Sequence, residues 1–124
     1  MKVTFLGTGT STGIPTIGVE RESCLSSDKR DNRLRSSILI EYKSKSILID
    51  CGPDFRQQML RINKTKVDAI FFTHEHADHT AGLDDIRPIS FHHGKIPIYA
   101  HKRVVDNLKN RFDYLFDKKG DYPG

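Results

Sequence analysis

The sequence predicts a layered α/β fold, and three observations carry that expectation. Residues 67–73 form a nearly continuous apolar run of strand length, the pattern of a strand buried on both faces. Two β-rich runs, 37–42 and 46–50, stand either side of Lys43-Ser44-Lys45 and read as a hairpin. Between and after these strands, apolar residues recur at spacings of three and four, as amphipathic helices require. The 124 residues suit one domain or part of one, and 36% apolar with 29% charged residues is the balance of a folded globular chain.

The elements follow in order. Residues 2–6 read as an opening strand, and 7–15, rich in glycine and hydroxyls, as a loop. Residues 20–35 are polar and aperiodic, a long surface excursion. Cys51-Gly52-Pro53 ends the hairpin, with Pro53 suited to the first turn of a helix that Phe55, Met59 and Ile62 carry to Asn63. After the strand at 67–73 come a short helix at 82–89, a strand at 96–100 and a helix at 102–116 marked by Val105, Leu108, Phe112 and Leu115. Residues 117–124 read as a turn-like tail.

No run has the apolar length to span a bilayer, and the opening residues meet Gly7 too early for a signal peptide, so the expected location is cytoplasmic. Cys24 and Cys51 fit a reduced pair. The net charge of +4 favours acidic partners such as phosphate esters or nucleic acid.

The chemistry concentrates in His74-Glu75-His76-Ala77-Asp78-His79, directly after the apolar strand. In extended chain His74 and His76 project to one side and can share a metal ion, while Asp78 and His79 can reach a second. Imidazole and carboxylate suit zinc, manganese or iron, and the lack of thiolates argues against a purely structural zinc. Incomplete protein ligation leaves room for water, whose pKa the metal lowers. The plainer reading is a solvated histidine-rich loop.

This motif after a hydrophobic strand resembles the metallo-β-lactamase superfamily. Thr8-Gly9-Thr10, Asp50 with Gly52, and Gly82 match as well. The 7–15 loop with Arg33-Leu34-Arg35-Ser36-Ser37 looks like the phosphodiesterase branch, which includes the phosphoribosyl cyclic phosphodiesterase and is related to tRNA 3′-processing ribonucleases. The resemblance implies that residues 1–124 are a partial domain, the N-terminal half of a four-layer αββα sandwich. It implies two divalent ions, zinc or manganese, with His74 and His76 on the first and Asp78 and His79 on the second. Asp78 would also steer the nucleophilic water, and the 7–15 loop would line the floor of the site. The implied activity is hydrolysis of a small cyclic or nucleotide-like phosphodiester by metal-bound hydroxide. The rivals are a tRNA-processing ribonuclease acting on RNA, and a truncated non-catalytic remnant that associates with itself or a partner through the missing half. Asp50 has two readings, orienting a ligand histidine or capping the following helix.

The sequence also departs from the family. A third histidine, a bridging aspartate and a final histidine belong to the family's second half. His92, His93 and His101 lack that setting and are expected at the surface. Where the phosphonate-pathway branch carries three cysteines, this chain has Val19, Arg21 and Cys24, so no structural zinc is expected and Cys24 reads as a free thiol. The 7–10 loop lacks the lysine of a phosphate-binding P-loop. Lys29, Arg30, Arg33 and Arg35, diluted by Asp28 and Asp31, read as a solvated basic loop. Arg103, Lys109 and Arg111, with Asp106 and Asp113, read as a mixed exposed helix face.

Overall fold

The computed structural model describes residues 1–116, so the turn-like tail read at 117–124 lies outside the described residues. One sheet organises the chain, with strands β1 (Lys2–Gly7), β2 (Ser37–Tyr42), β3 (Lys45–Ile49), β4 (Ala69–Phe71) and β5 (Ile98–Tyr99) lying side by side in sequence order. β1 and β2, and β2 and β3, pair antiparallel; β3, β4 and β5 pair parallel. Consequently β1, β3, β4 and β5 all point their carboxyl ends at one edge. Open α/β sheets carry their chemistry at that edge.

Strand pairing sorts the side chains into faces, because neighbours along a strand alternate. Leu39, Leu48, Ile70 and Ile98 form one cross-strand row. Leu39, Leu48 and Ile70 are fully buried in one cluster with Phe55 and Met59 of α2 (Phe55–Arg61) and Val104 and Leu108 of α5 (Lys102–Arg111). Two rows make the other face: Val3-Ile40-Ile47-Ala69, and Phe5-Ile38-Ile49-Phe71-Tyr99. That face is apolar yet open, with Phe5 64%, Phe71 40% and Tyr99 51% exposed. The rings of Phe71 and Tyr99 stack at 4.7 Å.

Several sequence expectations are corrected here. The strand expected at 67–73 is buried on one face only, since no layer among the described residues covers the second. The 20–35 excursion holds a helix, α1 (Glu22–Leu25), and a 3-10 turn at Lys29–Asp31 that the Asp28 carboxylate caps through the Arg30 N–H. Pro53 precedes α2 rather than opening it, and the helix ends with Ile62 as its cap. The short helix expected at 82–89 is a 3-10 turn, Leu83–Ile86, followed by α4 (Arg87–His93). Pro88 sits in the first turn of α4, where a missing N–H costs nothing. His92 and His93 thus end a helix; they and His101 are exposed. The long final helix breaks at Phe112, leaving α6 (Asp113–Phe116), where the Asp113 carboxylate accepts the Tyr114 N–H. The break lets Phe112 pack against the core.

Candidate metal centre

The histidine motif leaves the carboxyl end of β4 and turns into α3 (Ala77–Thr80), with His76 as the residue before the helix. Its loop is fastened to the end of β3. The Cys51 N–H donates to the His79 carbonyl at 2.8 Å, and the Gly82 N–H donates to the Cys51 carbonyl at 2.9 Å. The approach is close enough to demand glycine. A Cβ on Gly52 would lie 2.1 Å from the Asp78 carbonyl oxygen, and one on Gly82 would lie 2.0 Å from that of Gly52.

Asp50 is the hub. It is buried, and its backbone takes the left-handed conformation, φ 60°. Its Oδ1 accepts the Thr73 N–H at 2.8 Å, while Oδ2 accepts the Thr73 hydroxyl at 2.8 Å and lies 2.7 Å from His79 Nδ1. The Ser37 hydroxyl in turn donates to the Asp50 carbonyl at 2.8 Å. The two sequence readings of Asp50 are therefore separated: it orients His79, and α2 begins after Asp54 without its help. Thr73 extends the chain, its hydroxyl 2.9 Å from His74 Nδ1.

The structure brings the sequence-selected residues together. The His74 ring lies 4.0 Å from that of His79 and 4.7 Å from that of His76, centre to centre. His79 Nε2 stands 3.1 Å from Asp78 Oδ2. His79 thus meets a carboxylate through each ring nitrogen. Among the described residues no group of three or more His, Cys, Asp or Glu side chains is arranged as a complete metal-holding set. The donor chemistry nevertheless fits a divalent ion: neutral nitrogens and a carboxylate, with one imidazole oriented by a buried aspartate behind it.

The surroundings reinforce the loop from α5. Arg111 donates to the Glu75 carbonyl at 3.0 Å and to the Thr80 hydroxyl at 3.0 Å, and that hydroxyl donates to the His76 carbonyl at 2.9 Å. Arg103 pairs with the Glu75 carboxylate at 3.2 Å. Glu75 titrates below its usual range, held down first by a backbone N–H bond and then by Arg103. Burial pushes the Cys51 thiol well up, with the charges of Asp85 and Asp50 adding to it, which makes this thiol an inert core residue. Both cysteines are free, and the Cys24 sulfur accepts the Thr16 N–H at 3.4 Å. His101 reaches the same edge but caps α5, its Nδ1 accepting the Arg103 N–H at 3.2 Å.

Sequence reasoning missed Thr73 and Arg111. Thr73, a hydroxyl ending an apolar strand beside the motif, carried a signal. Arg111 carried none, because its contact depends on how α5 packs. Arg35, read as part of a solvated cluster, is instead half-buried and clamped: Asp54 pairs with its guanidinium at 3.0 Å and accepts its N–H at 2.8 Å.

The β-lactamase superfamily domain matches residues 45–123, which is most of the chain, and the chain belongs to that family. The fold agrees with metallo-β-lactamase relatives. A crystal structure of a diphosphatase from the PhnP family superposes with a TM-score of 0.88 at 49% identity, over 92% of this chain and 46% of that one. An octanoyltransferase of Porphyromonas gingivalis is 46% identical over all of this chain and 25% of its own length. A ribonuclease Z of Methanococcus aeolicus is 31% identical over 89% of this chain and 31% of its own. The chain therefore spans about half of that solved relative and a quarter to a third of these curated ones. No helix among the described residues is long and apolar enough to cross a membrane.

Proposed function

We propose that this chain is the metal-binding half of a phosphodiester hydrolase acting on a small cyclic or nucleotide-like substrate. The observation that carries the proposal is the Asp50–His79–Asp78 chain of contacts, with His74 and His76 beside it at the carboxyl edge of the sheet. His74, His76, Asp78 and His79 are the residues that would hold divalent ions, zinc or manganese. Such ions supply Lewis acidity and acidify bound water. The chain's own residues do the rest. Asp50 takes the Nδ1 proton of His79 in a hydrogen bond and so turns Nε2 toward Asp78. Thr73, anchored on Asp50, steadies His74 in the same way. Asp78 accepts a proton from, and so aims, the attacking water. The 7–15 loop forms the floor on which the substrate rests.

The PhnP-family diphosphatase supports phosphate chemistry, and ribonuclease Z supports RNA as the second substrate reading. Acyl transfer is not proposed, because what the chain gathers at the sheet's carboxyl edge is imidazole and carboxylate, the donors of metal-assisted hydrolysis, and the match covers 25% of the octanoyltransferase. The two free thiols suit a reducing compartment, and the cytoplasm is the proposed location. The open sheet face supports association with further chain or a second copy.

The test uses the full-length protein loaded with zinc or manganese and assayed on bis(p-nitrophenyl) phosphate. Turnover that disappears on chelation and in both Asp78→Ala and His79→Ala is the expected result. A protein that binds two ions yet cleaves only thioesters or β-lactams would sink the substrate class.

A further inference from the structure

At the free edge of β1, a cavity of about 290 Å³ opens between the strand, the Lys29–Asp31 turn and the last residue of α2. Its polar lining is Thr8, Lys29, Arg30, Asn32, Arg33 and Arg61, and no carboxylate among the described residues lines it. Arg30 is paired with Asp28 at 2.6 Å. The other three cations have no acidic partner within ion-pair distance among the described residues. Among the described residues the Arg33 guanidinium donates only to the Thr8 hydroxyl, at 3.4 Å, and that of Arg61 to the Leu6 carbonyl. Each bond uses one donor of a five-donor fork and leaves the rest.

Three uncompensated charges around a concavity, with a hydroxyl and an amide beside them, attract an anion. Guanidinium forks match phosphate oxygens in pairs, which a carboxylate-free lining leaves unopposed. The contrast within the molecule is instructive. A larger cavity, about 420 Å³, is lined by Lys43, Lys45, Lys64 and Lys66. There Glu41 pairs with Lys64, and Asp68 pairs with Lys45 and Lys66, so two carboxylates offset half of the charge of four lysines.

Position narrows the role. β1 and β4 end at the same edge of the sheet, three strand spacings or roughly 14 Å apart. One phosphate cannot reach both the histidine motif and this cavity. We infer that the cavity is a second phosphate-binding subsite, which holds a phosphate group remote from the one at the histidine motif. Its part in a substrate rests on the hydrolase reading, but the binding itself does not.

The experiment is a calorimetric titration of inorganic phosphate into the full-length protein stripped of metal by a chelator. Saturable binding is expected, weakened tenfold or more in Arg33→Gln and in Lys29→Ala, two exposed positions whose variants are checked for unchanged melting. Absence of saturable binding, or equal affinity in both variants, overturns the subsite. Repeating the titration with a nucleoside 5′-monophosphate and with a short single-stranded RNA separates the sources. A single-phosphate salt slope for both assigns a small molecule. A slope several times steeper for RNA, at about 0.7 per phosphate neutralised, assigns the backbone. Turnover has no part in these readouts. A protein that hydrolyses nothing leaves the subsite standing, and one that hydrolyses phosphodiesters but binds no phosphate in metal-free form overturns the subsite alone.

Discussion

Asp50 holds a left-handed backbone that few side chains tolerate, and it does so while accepting three hydrogen bonds. Partners of this kind behind a metal-ligating histidine are worth ten- to a hundredfold in metal affinity. Asp50→Asn, which keeps the shape but loses the charge, should therefore weaken zinc binding by about that factor in chelator competition; unchanged affinity would remove Asp50 from the site. Asp68 invites a different test, far from the motif. Its carboxylate accepts the Ser46 N–H at 2.8 Å and pairs with Lys66 and Lys45, and these hold its pKa at about 2. The folded value is depressed, so the stabilisation is complete above the unfolded value near 3.8 and is lost as pH falls from there toward 2. Allowing for solvent screening, it amounts to ~1 kcal/mol. Asp68→Asn should flatten the acid limb of a stability–pH curve between pH 4 and 2, and leave the pH 7 melting point lower than wild type.

At the scale of elements, the junction of the β3 end with the motif loop leaves no room for a side chain at Gly52 or Gly82. Gly52→Ala or Gly82→Ala would drive a methyl group into backbone, a contact that no rotamer relieves. Each is expected to destabilise by more than ~2 kcal/mol in denaturant unfolding, the range of overpacked cores, and to lower metal affinity with it. Which elements could be read from the sequence follows the same logic. β2, β3 and α2 carried strong local patterns and lie within a residue or two of their expected bounds. The motif residues were visible as chemistry, because few other patterns place three histidines and an aspartate together. The break at Phe112, the 3-10 turn before α4 and the Arg111 bridge were not visible. Each depends on a contact with sequence-distant neighbours, which leaves no periodicity to read. The buried-on-both-faces reading of β4 failed for a related reason: an apolar run reports what a strand prefers, not what covers it.

At the scale of the molecule, the sheet presents two apolar rows with nothing among the described residues to cover them. Monomeric proteins seldom expose a patch of that kind unless something docks there. Residues 1–124 produced alone should bind a hydrophobic dye and self-associate in analytical ultracentrifugation. Phe5→Lys with Phe71→Lys should suppress both; a strictly monomeric, dye-silent wild-type segment would contradict the openness of this face. In the full-length protein the same dye signal should be absent.

The sequential strand order has a further meaning for biosynthesis. Because every strand pairs with its neighbour in the chain, a ribosome delivers the pieces in the order in which they are joined. Four strands, the Asp50 hub and the motif loop are all complete by Gly82. The nascent chain can close its histidine loop while the remaining codons are still being read.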